Sequence, residues 1–480
     1  IIHLNIYLYS LEFIGMKLVK GLTLLSASVI LAACGSSSDD EAGVNYPSTY
    51  EFASKLEDGQ SSVKFTGQAA RQILIGEIKN ATGNAEIDKA DLETIYSQGS
   101  SVLDDANIYG ADAGFGTPVH ISAPEGFTIA QSDYTKVFEG AGSKKLSDKT
   151  AGCDNELSAT QFIGWTVATL VDCGTSKNED AVDYHDAPYS LMVEWIDAAA
   201  VNKVDTALGL NYQQLFQKFL LGAVAFSQTA EDYLKTTKLA TADNSIAKDT
   251  DGPYTALEHS WDEGFGYFGA STDYLNIADA TINGKTYHSD VSGEGEIDLL
   301  KGEYNFGLAQ YASKHDVLTG TTDLSSDIMI AFLEGRQLIQ DNIGTNPADS
   351  AGFNTELAAI SDRAVKGMEK IFAISVIKYI NETISDLGNY TVGAGDQDVD
   401  DLAKHWSELK GFALGLQFSP IASMDEDKQL ALHALIGQSP ITQLNSKTVT
   451  QEYIDDLIAA RALVQEAFGF DAEAVKTWGA

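Results

Sequence analysis

Beyond the first fifty positions, apolar residues recur at helical spacing along most of the chain. From Thr66-Gly67 the series Ala70, Ile73, Leu74 and Ile78 marks one face of a helix. Tyr189 to Val201 continues the pattern, and Tyr212 to Leu234 carries it most strongly through Leu215, Phe219, Ala223, Phe226 and Ala230. Leu324 to Ile339, Leu357 to Leu387 and Glu452 to Phe468 read as further long amphipathic helices. Period-two alternation is scarce. A small hairpin is expected within Asp279–Gly302 around Asn283-Gly284, a favoured two-residue turn. The stretch Asn107–Gly152 is glycine-rich, carries Pro118 and Pro124, and reads as a long irregular excursion. Eight prolines in 480 residues suit a helical fold. The expected class is therefore mainly α, in packed helical bundles with long irregular loops and little β.

The amino-terminal region follows a different pattern. The first methionine is Met16, so residues 1–15 are expected to lie upstream of the translated start. Lys17 and Lys20 give a positive region, Gly21 to Ile30 a short apolar run, and Leu31-Ala32-Ala33 a small-residue cleavage site. The run falls well short of the roughly 20 apolar residues that span a bilayer. Leu31-Ala32-Ala33-Cys34 resembles the lipobox of bacterial lipoproteins, which implies acylation of the Cys34 thiol and a membrane anchor. Gly35 after the cysteine points to the outer membrane by the sorting pattern of such proteins. The chain then divides into a leader and signal, 1–33, a flexible lipidated tether, 34–46, and a helical domain, 47–480.

Charge narrows the partners. Lys and Arg number 31 against 69 Asp and Glu, and only Lys17, Lys20 and Glu12 of these precede Cys34. Such a balance repels nucleic acid and anionic lipid, so no nucleic-acid partner is expected. Of the three cysteines, Cys34 is assigned to lipid. Cys153 and Cys173 remain as an expected structural disulfide, closing a loop worth about 3 kcal/mol in the chain-entropy treatment.

The candidate chemistry lies in two short, similar segments. Glu258-His259-Ser260-Trp261-Asp262-Glu263-Gly264-Phe265 and Lys404-His405-Trp406-Ser407-Glu408-Leu409-Lys410-Gly411-Phe412 share a histidine, a tryptophan, a carboxylate and Gly-Phe. If the match reflects a repeat, two pseudo-repeated bundles of about 47–270 and 271–480 follow. On a helix, residues three or four apart share a face, with Cβ atoms about 5–6 Å apart. His259, Asp262, Glu263, His405 and Glu408 are thus candidate ligands for iron or another divalent metal, as in carboxylate–histidine bundles. The competing reading makes them structural groups in helix packing. His185, within Tyr184-His185-Asp186-Ala187-Pro188, is read first as the start of a helix and second as a further ligand. Glu334 and Arg336 are expected to form an internal ion pair or to support the histidines from behind.

Several catalytic signatures are missing from the sequence. There is no His-Glu-x-x-His zinc motif, no Gly-x-Ser-x-Gly elbow and no phosphate-binding Gly-x-x-x-x-Gly-Lys-Ser/Thr. Asp396 to Ser407 fails as an EF-hand, having Asp401 at its sixth position and Ser407 at its twelfth.

Tyr50-Glu51-Phe52, Gly67-Gln68-Ala69-Ala70-Arg71, Ala187-Pro188-Tyr189-Ser190, the segment His259 to Gly269 and the segment His405 to Gln417 together resemble an uncharacterised bacterial lipoprotein family, domain of unknown function 4856. More distantly, Ala403-Lys404-His405-Trp406-Ser407-Glu408 is similar to the Gly-x-His-x-x-Glu motif of imelysin-like proteins, with Ala403 in place of glycine. Leu257 to Asp262 departs from that motif twice. That second resemblance implies two helical bundles in an envelope protein tied to iron uptake. The functional expectation is a non-enzymatic outer-membrane lipoprotein that binds iron or another metal, directly or as a haem or chelate. An adaptor for an outer-membrane receptor is the alternative, and a metallopeptidase ranks last.

Overall fold

The predicted helices form, and their packing follows the apolar faces that predicted them. A computed structural model describes residues 45–84, 88–98, 119–174, 182–249, 252–389, 397–440 and 447–479. Cys34 and the signal-like segment before it lie outside the described residues. Helix α1 (Thr66–Thr82) buries Ala70, Ile73, Leu74 and Ile78, the residues whose spacing announced it. After α2 (Lys89–Glu93) and α3 (Tyr134–Ala141), helix α4 (Ala187–Val201) opens with Pro188 in its first turn, where a missing N–H costs nothing. Helices α5 (Tyr212–Leu220), α6 (Thr236–Thr241), α7 (Ala256–Phe268), α8 (Asp279–Asn283), α9 (Gly307–Thr319) and α10 (Leu324–Asp341) follow. The chain then makes α11 (Ala351–Asn389), α12 (Gln397–Gly415), α13 (Glu426–Ile436) and α14 (Lys447–Phe468).

The 39-residue α11 contains the whole of the predicted Leu357–Leu387 helix and is the spine of the molecule. It packs against α10, α12 and α14, while α1 packs against α5 and α7. Helix α5 joins the two groups by lying against α12. One apolar core accordingly runs from Tyr50 to Trp478 and draws on both halves of the sequence. Among the described residues, no helix is long and apolar enough to cross a membrane.

Two local departures have physical causes. The predicted helix Tyr212–Leu234 leaves α-geometry after Leu220 and continues as two wide π turns, Leu221–Phe226 and Gln228–Tyr233. Widened turns of this kind re-aim side chains, and the second carries Tyr233 into a cavity described below. The hairpin expected at Asn283-Gly284 does not form. Asn283 ends α8 and Gly284 caps it, with Lys285 taking the left-handed turn at φ 69°. The nearby strand β4 (Glu296–Ile297) instead pairs in parallel with β1 (Thr128–Ile129). The other small sheet is antiparallel, between β2 (Val204–Asp205) and β3 (Leu210–Asn211).

The contact of α12 with α5 and with the π turn that follows it depends on glycine. A Cβ on Gly222 would lie 2.6 Å from the Cα of Gly415, and one on Gly411 would lie 2.6 Å from the Cβ of Lys218. These gaps admit backbone against backbone and nothing more. Gly222→Ala is therefore expected to destabilise the protein by about 1–3 kcal/mol through overpacking. Gly352→Ala in α11, where a Cβ meets nothing within 4 Å, should be neutral or slightly stabilising. Urea denaturation of both variants checks the contrast.

Candidate functional site

Helix α7 starts with a capping box: the Thr255 hydroxyl accepts from Glu258 N–H and the Glu258 carboxylate accepts from Thr255 N–H. Its inner face carries Leu257, Trp261, Phe265 and Phe268, all wholly buried, and with them Glu258 and Asp262. Two carboxylates in the core require a cation, and Arg336 of α10 supplies it. Its Nε donates to Asp262 at 2.8 Å, its Nη1 to Glu258 at 2.9 Å and its Nη2 to the Ser62 hydroxyl at 2.7 Å. Asp262 also accepts from the Tyr50 hydroxyl and from Lys64 N–H. Its oxygens are committed to this network. Arg336 thus supports Asp262 from behind rather than pairing with Glu334, which instead bonds Arg363 of α11.

The other face of α7 turns outward with His259 and Glu263. His259 Nε2 lies 3.7 Å from a Glu263 oxygen, and its ring stacks on Tyr254 with centroids 5.0 Å apart. Its Nδ1 is buried without a well-formed hydrogen bond, and the Lys64 backbone lies close enough to favour the protonated ring. Burial, aided by Lys248, holds the imidazole below its usual pKa against the pull of Glu263, which favours the neutral ring. The second Glu263 oxygen accepts from Gln68 Nε2 at 2.8 Å.

Both residues line a cavity of about 330 Å³ whose other walls are Lys64, Thr66, Gly67, Arg71, Gly140, Ala141, Lys144, Lys149, Tyr233 and Tyr254. Helix α1 enters the cavity at its N-terminus without a side-chain cap, adding the positive end of its dipole. Gly67 leaves room for Lys144: a Cβ there would sit 2.7 Å from the lysine Cε. The Arg71 guanidinium is fixed by the Lys145 carbonyl at 2.7 Å and lies 3.6 Å from Asp148. Lys149 bonds Asp154. Burial, and then the charge of Arg71, hold the Lys144 amine below its usual pKa. Tyr267, stacked beside Tyr233, keeps a buried hydroxyl with no partner.

The second segment, on α12, splits in the same way. Glu408 turns inward to the buried Lys218 at 3.2 Å and to the Tyr379 hydroxyl at 3.1 Å. Burial works against its charge, yet Lys218 outweighs that and holds the carboxyl below its usual range. His405 turns the other way, with Nδ1 2.8 Å from Asp386 and Nε2 3.7 Å from Glu382, both on α11. Burial again opposes charge, but the Asp386 hydrogen bond and the two carboxylates prevail and raise the histidine pKa. The two histidines share no partner: His259 opens on the cationic cavity, and His405 sits in a pocket of carboxylates.

Two further expectations can be placed. His185 stays at the start of α4, its ring 2.9 Å from Asp183, which also accepts from His185 N–H. Cys153 and Cys173 are neighbours but both are free thiols, so the expected disulfide is not formed here. The hydrogen bond from Cys173, followed by burial, pushes the Cys153 thiol well above its usual pKa. Among the described residues, three ligand-type atoms gather within 4.8 Å at Asp172, Cys173 and Asp186, and at Asp279, Asp316 and Asp323. Asp186 already accepts from Cys173 and Asp183 N–H, and Asp316 from Leu324 and Ser325 N–H, so both act as local caps.

The geometry defines a helical protein with two related buried-charge segments and one polar, cation-lined cavity. The family model described as domain of unknown function (DUF4856) matches residues 130–431, and the chain belongs to that family. No curated protein and no solved structure matches it.

Two expectations follow. Arg336→Met strands Glu258 and Asp262 in the core and should cost about 3–5 kcal/mol in urea denaturation. Lys410, wholly buried, donates to His433 Nδ1 and the Gly437 carbonyl, and burial pushes its pKa from 10.5 to about 7. Between those values the unfolded chain binds the extra proton. Stability should therefore rise with pH across pH 7–10.5, by up to about 1.4 kcal/mol per unit, and be lost as pH falls through 7. Lys410→Met should flatten that slope in denaturation series at pH 6, 8 and 10.

Proposed function

We propose that this protein is a non-enzymatic lipoprotein of the cell envelope, held by lipid on Cys34 to the outer membrane, that binds iron or another metal as part of its uptake. The observation that carries the reading is the His259–Glu263 pair at the cavity wall. An ion about 2.1 Å from each atom bridges two donors 3.7 Å apart. His259 and Glu263 would hold the metal. Asp262 and Glu408 are excluded from the ligand set by their buried cations, and His405, whose pKa is raised by Asp386 and Glu382, is the imidazole more readily lost to a proton and the weaker ligand.

The reading predicts that purified protein retains metal by mass spectrometry. His259→Ala should lose it at unchanged helicity, and His405→Ala should keep it. Equal metal in His259→Ala and the unaltered protein sinks the proposal.

A further inference from the structure

The walls of the His259 cavity carry charge of the wrong sign for a bare metal ion. Lys64, Arg71, Lys144 and Lys149 line it against one carboxylate, Glu263, in a chain whose net charge is −38. Asp148 and Asp154 stand behind Arg71 and Lys149 and neutralise part of that charge. Lys144 has no carboxylate partner in any ion pair among the described residues, and its amine is half-buried. The uncapped N-terminus of α1, at Thr66 and Gly67, adds N–H groups to the same wall. The four cationic side chains and the helix terminus repel a cation and attract an anion.

The ligand count points the same way. His259 and Glu263 supply two donors, and a ferric or divalent ion needs four to six. Protonated lysine and arginine cannot ligate a metal, but they pair with carboxylates, arginine in bidentate fashion. Haem does not suit this lining, which is dominated by charged and hydroxyl-bearing side chains rather than by apolar ones. Tyr233 and Tyr254 add hydroxyls suited to a polar, oxygen-rich guest.

Building on the metal reading above, we infer that the metal arrives already wrapped in a small polycarboxylate chelator, and that Arg71, Lys144, Lys149 and Lys64 bind the chelator while His259 and Glu263 complete the metal's shell. Capture is ligand exchange. The two side chains displace water from the complex, and no electron is transferred.

Calorimetric titration of the full chain with ferric citrate, citrate alone and cobalt(II) chloride tests this. Ferric citrate should bind the unaltered protein, more weakly as sodium chloride is raised. Lys144→Glu should lower that affinity at least tenfold, His259→Ala should lower it as well, and Lys428→Glu on the distant α13 should leave it unchanged. If ferric citrate fails to bind, the inference falls. If cobalt(II) binds in citrate-free buffer and Lys144→Glu tightens it, the cavity takes a bare ion: the metal reading stands and the chelate inference fails. If citrate alone binds as tightly as ferric citrate and His259→Ala changes neither, the cavity is a plain anion site and both fall together.

Discussion

A guanidinium sealed in an apolar core organises this fold. Arg336, on α10, has no exposed surface, and its partners come from two other stretches of chain: Ser62 before α1, and Glu258 and Asp262 on α7. A buried ion pair adds little net stability over well-packed apolar groups, because desolvation consumes most of the attraction. Its effect is on register. Sliding α7 by one residue against α10 would leave two carboxylates unpaired, a penalty far larger than that of a slipped leucine face. Lys218, Glu408 and Tyr379 impose the same rule where α5, α12 and α11 meet. The glycines at 222, 411 and 415 let the backbones approach closely enough for it to operate.

That constraint explains why each histidine segment is divided between two tasks. In both, a tryptophan N–H is satisfied in the core, Trp261 by the Phe332 carbonyl and Trp406 by the Tyr453 hydroxyl. In both, one carboxylate meets a buried cation and a tyrosine hydroxyl. The histidine, on the opposite side, faces a glutamate at 3.7 Å, and there the likeness ends. At the first segment the glutamate is the helix's own Glu263 and the surroundings are cationic. At the second it is Glu382 of another helix, with Asp386 beside it. The shared sequence pattern encodes the common packing, and the chemistry comes from what other elements bring alongside.

Helix positions were legible because burial follows the apolar period, as α1, α10 and α11 illustrate. The π turns after Leu220 were not, since widening a turn preserves the pattern of apolar residues. Asn283-Gly284 misled because a helix C-terminus and a hairpin turn favour the same residues. At the candidate site, spacing alone put Asp262 beside His259. Trp261 and Phe265 both lie to one side of Asp262 on the helix wheel, and that apolar neighbourhood draws it toward the core. The cationic cavity had no local signature: Arg71, Lys144, Lys149 and His259 are brought together by α1, the loop after α3 and α7, across nearly two hundred residues.

The overall charge of −38 does not bar an anionic guest. Distance is the reason. At physiological ionic strength the field of an exposed charge decays over about 8 Å, so carboxylates scattered over the rest of the surface contribute little inside a recess. Within the cavity the cations stand at contact distance, partly desolvated, where screening is weakest and attraction greatest. The global charge therefore slows the approach of an anion, while the local cations set its affinity once it arrives. A bare cation meets the reverse: it is drawn to the acidic exterior in general and repelled at the only wall where His259 is offered.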